Sequence, residues 1–123
     1  MSGILFVGLG GAVGAVARYL ISLIPVKSGF PILTLVTNLA GAVLIGFAIG
    51  VYAGKGSGEK GLLFWKTGVC GGFTTFSAFS LEALGLFEAK KILLGAVYIV
   101  LSVGLCIAGV AAGRYIALKT VKS

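Results

Sequence analysis

The sequence predicts an all-α integral membrane protein of four transmembrane helices, the third of them broken at its centre. Three observations carry that expectation. Of the 123 residues, 59% are hydrophobic and only 11% are charged, with a mean hydropathy of +1.15. Soluble domains carry about 25% charged residues, so this chain lacks the polar groups to coat a globule. The apolar residues gather into four segments, 4–24, 32–53, 62–87 and 92–112, each long enough to cross a hydrocarbon core. The third segment holds "GGFTTFSAFS", glycines, hydroxyls and phenylalanines that a helix serving only to span lipid would not collect at its middle.

The first segment is 21 residues, about 31 Å of helix at 1.5 Å per residue. It lacks the basic start of a signal peptide and is too long for one. Its "GLGGAVGAVAR" superficially matches a dinucleotide-binding loop, but the strand and βαβ context that give that pattern meaning are missing, so these are packing glycines. Pro25 and Pro31 bracket a short turn before the second segment. "GKGSGEKG" is a flexible polar loop before the third, and "EAKK" a tight one before the fourth. Connections this short force neighbouring helices to run antiparallel within a single domain covering residues 1–123. Small residues four apart, Gly10/Gly14, Gly46/Gly50 and Gly109/Gly113, offer faces for close helix packing.

Ten basic residues against three acidic give a net charge of +7. With four spans, both chain ends and the "GKGSGEKG" loop share one side, which carries Lys55, Lys60, Lys66, Arg114, Lys119 and Lys122. The other side carries Lys27, Lys90 and Lys91, with Arg18 near that end of the first span. So small a bias under the positive-inside rule makes insertion in both orientations, and hence an antiparallel homodimer, geometrically available. The excess charge belongs with anionic headgroups at the surface of the lipid bilayer. No basic stripe interleaved with aromatics is present, so no nucleic-acid partner is expected. Histidine is absent, which removes imidazole metal sites and histidine bases, and no nucleophile–base pair is visible; the chain does not read as an enzyme. Cys70 and Cys106 both fall inside apolar spans, where cysteine behaves as a small hydrophobe.

Polar side chains at membrane depth are costly and therefore mark function or interhelical bonding. In the second span Thr34 and Asn38 share a face at i, i+4, alongside Thr37. Asn38 brings two N–H donors to mid-span, either for an anion shedding water or as interhelical glue. In the fourth span Tyr98, Ser102 and Cys106 stack on one face; the two hydroxyls either donate to an anion or bond carbonyls one turn back. In the third, Gly71, Gly72, Thr74 and Thr75 make a poor helix interior, and unwound backbone at this depth is tolerated only where it is buried or lines a cavity. Freed carbonyls there coordinate cations, and freed N–H groups face anions. Phe73, Phe76 and Phe79 recur every third residue, so Phe76 and Phe79 lie on one side. Their rings either pack or present positive edges to an anion. Arg18 either snorkels outward or draws anions into a vestibule, and Glu82 is free to pair with a cation, cap structure or titrate.

"GGFTTFSAFS" with Glu82 two places on, "TLVTNLAGAVLIGF" in the second span and "GAVGAVARYL" in the first resemble the Fluc (CrcB-like) fluoride channels. The match runs through all four spans in order. The resemblance implies an antiparallel, dual-topology homodimer in the plasma membrane (the inner membrane in a Gram-negative source) with two fluoride pathways. It makes Phe76 and Phe79 the phenylalanine box, Asn38 the pore amide and Arg18 the vestibule arginine. Thr34, Ser77, Tyr98 and Ser102 extend the hydroxyl track, and the carbonyls of Gly71 and Thr74 hold a central structural sodium ion shared by both subunits. It implies passive export of cytoplasmic fluoride. Two positions depart from the pattern: Ala78 stands where threonine is frequent, and Cys106 where a serine is expected at the end of the Tyr98–Ser102 face.

Two rivals remain. A small proton-coupled multidrug exporter would want a carboxylate in the middle of an early span, and the first two spans contain none. A non-conducting membrane subunit would transport nothing by itself.

Overall fold

The computed structural model describes residues 2–53 and 58–122, so residues 54–57 of the expected "GKGSGEKG" loop lie outside the described residues, while Glu59, Lys60 and Gly61 of that loop are helical and open the third span. The described elements are all helical: α1 (Ser2–Ser22), α2 (Ile32–Tyr52), α3 (Glu59–Leu62), a π-helix (Leu63–Cys70), α4 (Gly71–Phe73), α5 (Phe76–Glu88) and α6 (Ile92–Lys122). Four helical segments are long and apolar enough to cross a membrane, Ser2–Ser22, Ile32–Tyr52, Glu59–Glu88 and Ile92–Thr120. They match the four apolar runs of the sequence with shifted ends.

Those shifts have local causes. A residue preceding proline disfavours the helical region, and α1 stops before Pro25: the Leu23 and Ile24 amides tighten onto the Leu20 and Ile21 carbonyls at 3.2 and 3.0 Å. α5 ends in a Schellman motif, in which the Lys90 N–H bonds Phe87 O at 2.9 Å and the Lys91 N–H bonds Leu86 O at 2.8 Å. Lys90 takes the left-handed position, with φ of 64°, that usually falls to glycine. α6 runs ten residues past the expected end at 112 because residues 113–122 contain no breaker beyond Gly113, which is packed inside. At 31 residues it is about 46 Å long, so it projects beyond the hydrocarbon.

Two close helix pairs make the scaffold, α2 along α6 and α1 along the π-helix and α4. Both are pairings of glycine against backbone. A Cβ on Gly10 would fall on the Phe64 carbonyl, one on Gly14 on the Val69 carbonyl, and one on Gly113 on the Val43 carbonyl. Close backbone approach of this kind gives membrane helices their van der Waals attraction, since lipid tails supply no hydrophobic drive between them. Gly113→Val is therefore expected to separate α2 from α6 and to destabilise the fold by about 1–3 kcal/mol or more. Gly104→Val, on the same helix where a Cβ meets nothing within 4 Å, is expected to leave it unchanged. Thermal unfolding of the two purified variants in detergent checks both.

The buried apolar cluster forms where Leu35 of α2, Phe79, Ala83 and Leu86 of α5 and Tyr98 of α6 meet, with Phe30 against them. Large apolar side chains cover much of the outer surface, Ile4, Leu5, Leu81 and Leu93 among them, as expected for a lipid-facing one.

Candidate functional site

Between α4 and α5 the backbone leaves the helix for two residues. Thr74 has φ −81° and ψ 155°, and Thr75 has φ −146° and ψ 118°, both extended. Gly71 and Gly72 stay helical. Gly72 serves contact instead: a Cβ there would stand 2.5 Å from the Gly11 carbonyl oxygen of α1.

Extended backbone inside a membrane must find partners from side chains, and here it does. The Asn38 amide of α2 pairs with Thr75 as a neighbouring strand would: its Oδ1 accepts from the Thr75 N–H at 2.7 Å and its Nδ2 donates to the Thr75 carbonyl at 3.0 Å. One Nδ2 hydrogen is left over. Thr75 also caps α5, its Oγ1 accepting from the Ala78 N–H at 3.1 Å. Thr74 turns back, its N–H and its hydroxyl both donating to the Cys70 carbonyl, at 2.9 and 2.8 Å. In a continuous helix the Thr75 N–H would go to Gly71 O and the Ala78 N–H to Thr74 O. Both donors are taken by side chains, so the carbonyls of Gly71 and Thr74 lose their helical partners. They are the two carbonyls that the sequence resemblance nominates for a cation.

This interruption borders a groove of about 420 Å³ between α2, the third span and α6. Asn38, Gly71, Thr74, Thr75, Phe76, Phe79, Ser102 and Cys106 line it, together with Lys66 and Cys70. Its walls are mostly apolar. Phe76 and Phe79 have ring centroids 5.5 Å apart and planes tilted by 44°. Phe79 is 8% exposed and lies 5.1 Å from the Tyr98 ring, whereas Phe76 is 78% exposed. The Ser102 hydroxyl is buried and, among the described residues, has no hydrogen-bond partner. A buried donor without a partner costs about 1–3 kcal/mol, so a polar occupant of the groove would be stabilised there.

A second polar group lies beyond Phe79. The Glu82 carboxylate accepts from Thr34 Oγ1 at 2.9 Å and from Tyr98 OH at 3.1 Å. Thr34 and Tyr98, read from sequence as members of a hydroxyl track, thus direct their protons to Glu82 and do not line the groove. Arg18 does not reach the groove either; its Nε donates to the Gly72 carbonyl at 3.2 Å, tying α1 to the turn ahead of the interruption. Ser77 is exposed, with its Oγ 3.3 Å from Thr75 Oγ1. Cys106, half-buried, and Cys70, buried, are free thiols.

Sequence reasoning missed three features. Thr75 as clamp and cap carried one legible signal, a threonine at the point where the helix resumes. The π-helix carried none. Lys66 was counted among loop charges and instead lines the groove.

Four apolar spans, with a clamped break in regular backbone beside a groove that holds an unsatisfied hydroxyl, define a multi-pass membrane protein with the parts of an ion or small-solute pathway. Comparison with known proteins narrows the class. The family model described as "CrcB-like protein, Camphor Resistance (CrcB)" matches residues 5–114. A protein of Ruminiclostridium cellulolyticum named fluoride-specific ion channel FluC is 46% identical over 127 aligned positions, covering 100% of this chain and 97% of the relative. Proteins of the same name from Cereibacter sphaeroides (46% identical, 92% of each chain) and Rhizobium meliloti (46% identical, 92% of this chain and 94% of the relative) align comparably. The chain belongs to the CrcB family and is a multi-pass protein of the plasma membrane.

Proposed function

We propose that the protein is a fluoride-selective passive channel, through which cytoplasmic fluoride leaves the cell down its electrochemical gradient. The groove carries this reading: an unpartnered Ser102 hydroxyl and the spare Asn38 N–H stand beside the Phe76–Phe79 ring pair, with no fixed charge between them. Fluoride is small and holds its water strongly, so a pore must replace hydration with donors while binding loosely enough to release. Hydroxyl and amide donors do the first, and the positive edges of aromatic rings solvate an anion without trapping it. The name shared by the relatives in three bacteria supports the choice of ion.

The working form in this reading is an antiparallel dimer with two pathways. A groove open along one face, with Phe76 bare on the protomer surface, needs a second chain to close it. The third span then crosses the membrane as one helix interrupted at Thr74 and Thr75. A structural sodium ion at the two-fold axis fits the residues present, because the Gly71 and Thr74 carbonyls have given up their helical donors. Two from each chain would hold it. The ion would supply positive charge that neutralises four converging carbonyl dipoles. Ser77 extends the hydroxyl track towards one mouth, Thr34 and Tyr98 hold the Glu82 carboxylate behind Phe79, and Arg18 serves the vestibule through its hold on Gly72.

Liposomes loaded with fluoride and chloride, with valinomycin carrying compensating potassium, test the reading. Fast fluoride efflux without chloride efflux is the expected result. Absence of fluoride efflux from folded protein would favour a non-conducting subunit, and efflux that needs a proton gradient would favour a coupled exporter.

A further inference from the structure

Lys66 is a basic side chain that takes part in neither the Asn38–Thr75 clamp nor the Glu82 cluster. It lies in the π-helix, eight residues before Thr74, at most about 12 Å along the span. Its neighbours on either side along the chain, Trp65 and Thr67, are exposed with it, while Gly68, Val69 and Cys70 turn inward. An ammonium at this depth is costly in lipid unless it reaches water or an anion. Lys66 does not simply project into lipid, since it lines the same groove as Asn38, Phe79 and Ser102. The groove runs along α6 from Ser102 past Cys106 to Val110, again about 12 Å. Phe79 and Ser102 mark the end next to Glu82 and Tyr98; Lys66 and Val110 mark the other. The two ends are thus chemically different: a carboxylate held by two hydroxyls at one, an ammonium at the other. The unpartnered Ser102 hydroxyl, buried to 6% exposure in the same groove, independently marks the route between them as one for a hydrogen-bond acceptor.

We propose that Lys66 is the anion-attracting residue at the second mouth of the groove, concentrating fluoride by charge at the end remote from Glu82. The proposal rests on the fluoride-channel reading. Between Lys66 and Ser102 the wall offers the spare Asn38 N–H and Cys106, a weak donor, so the entering anion finds few groups to exchange for its water. A diffuse charge at the mouth suits this stretch better than a tight site, because it raises local anion concentration without a deep well.

The test compares fluoride efflux from liposomes holding the wild-type chain, Lys66→Met and Lys66→Arg, over a range of ionic strength set with an impermeant sodium salt. Charged mouths raise ion delivery by 10-fold or more at low salt, and the Debye length shrinks from about 30 Å at 0.01 M to about 3 Å at 1 M. Lys66→Met is expected to slow efflux by about tenfold near 10 mM salt, with the gap closing to within about twofold near 1 M. Lys66→Arg is expected to stay within about twofold of wild type throughout. Methionine keeps length and apolar stem, and elution of the variant at the wild-type position on gel filtration certifies the fold. Wild-type conduction with Lys66→Met equally fast at low salt would overturn the proposal and identify Lys66 as a snorkelling lysine only. A salt-independent defect shared by Lys66→Arg would overturn it too, as a packing effect. Failure of the wild type itself to conduct would instead remove the channel reading, and this proposal with it.

Discussion

Phe76→Ile and Phe79→Ile are each expected to abolish fluoride flux while the purified protein keeps its assembly state. Isoleucine preserves apolar bulk and removes only the ring, so the pair isolates what the aromatic edge contributes. The ring quadrupole places positive potential along the edge, and a chloride-sized or fluoride-sized anion leaving hydroxyl donors has nothing comparable from an aliphatic group. Each 1.4 kcal/mol of lost anion stabilisation at the barrier slows passage about tenfold, so a loss of about 3 kcal/mol brings flux down by about a hundredfold. The two variants differ in structural cost. Phe79 is 8% exposed and packs 5.1 Å from Tyr98 in the core, so its replacement also costs about 1–2 kcal/mol of stability. Phe76 is 78% exposed in the protomer, and its replacement is expected to cost the protomer almost nothing. Fluoride-electrode efflux rates with gel filtration of the same preparations check both statements. Undiminished flux in both variants would remove the ring pair from the pathway.

Asn38→Leu is expected to have the second large effect, on stability and flux together. Leucine matches asparagine in size and offers neither donor nor acceptor. It would leave the Thr75 N–H and carbonyl, now paired at 2.7 and 3.0 Å, without partners at membrane depth. Each orphaned group costs about 1–3 kcal/mol, so the variant should lose roughly 2–6 kcal/mol, or regain helix by shifting the Thr75 N–H back to Gly71. The second outcome would restore a helical partner to the carbonyl proposed for sodium. Either way fluoride efflux should fall to background, with a lowered unfolding temperature in the first case. Wild-type stability and flux in Asn38→Leu would show that the clamp is dispensable.

How far the sequence carried these conclusions depends on which force decided each feature. The spans were legible because burial in lipid acts on composition: four apolar runs became Ser2–Ser22, Ile32–Tyr52, Glu59–Glu88 and Ile92–Thr120. The α6 helix itself runs on to Lys122, ten residues past the expected end at 112, outside the hydrocarbon, a region in which hydropathy says nothing about helicity. The composition of residues 71–80 pointed to irregular backbone, but propensity placed suspicion on Gly71 and Gly72 as well as on the threonines. Only Thr74 and Thr75 leave the helix; the glycines are there for approach to α1, a tertiary demand invisible in one segment. The π-helix at Leu63–Cys70 lies against Gly10 and Gly14 of α1, and no local pattern in "LFWKTGVC" announces it. Asn38 was legible as a mid-span amide and illegible as a clamp, since its partner lies 37 residues away. For Glu82 the sequence left several roles open, and the hydroxyls of Thr34 and Tyr98 supply its partners.

The most direct test of fluoride-selective passive conduction is the reversal potential across a planar bilayer holding the purified protein, with a fluoride gradient, symmetrical chloride and equal pH on both sides. The account predicts a current that reverses at the equilibrium potential of fluoride and stays there when chloride is varied on one side. A reversal potential that follows chloride or protons, or no current from protein shown to be inserted and folded, would contradict it.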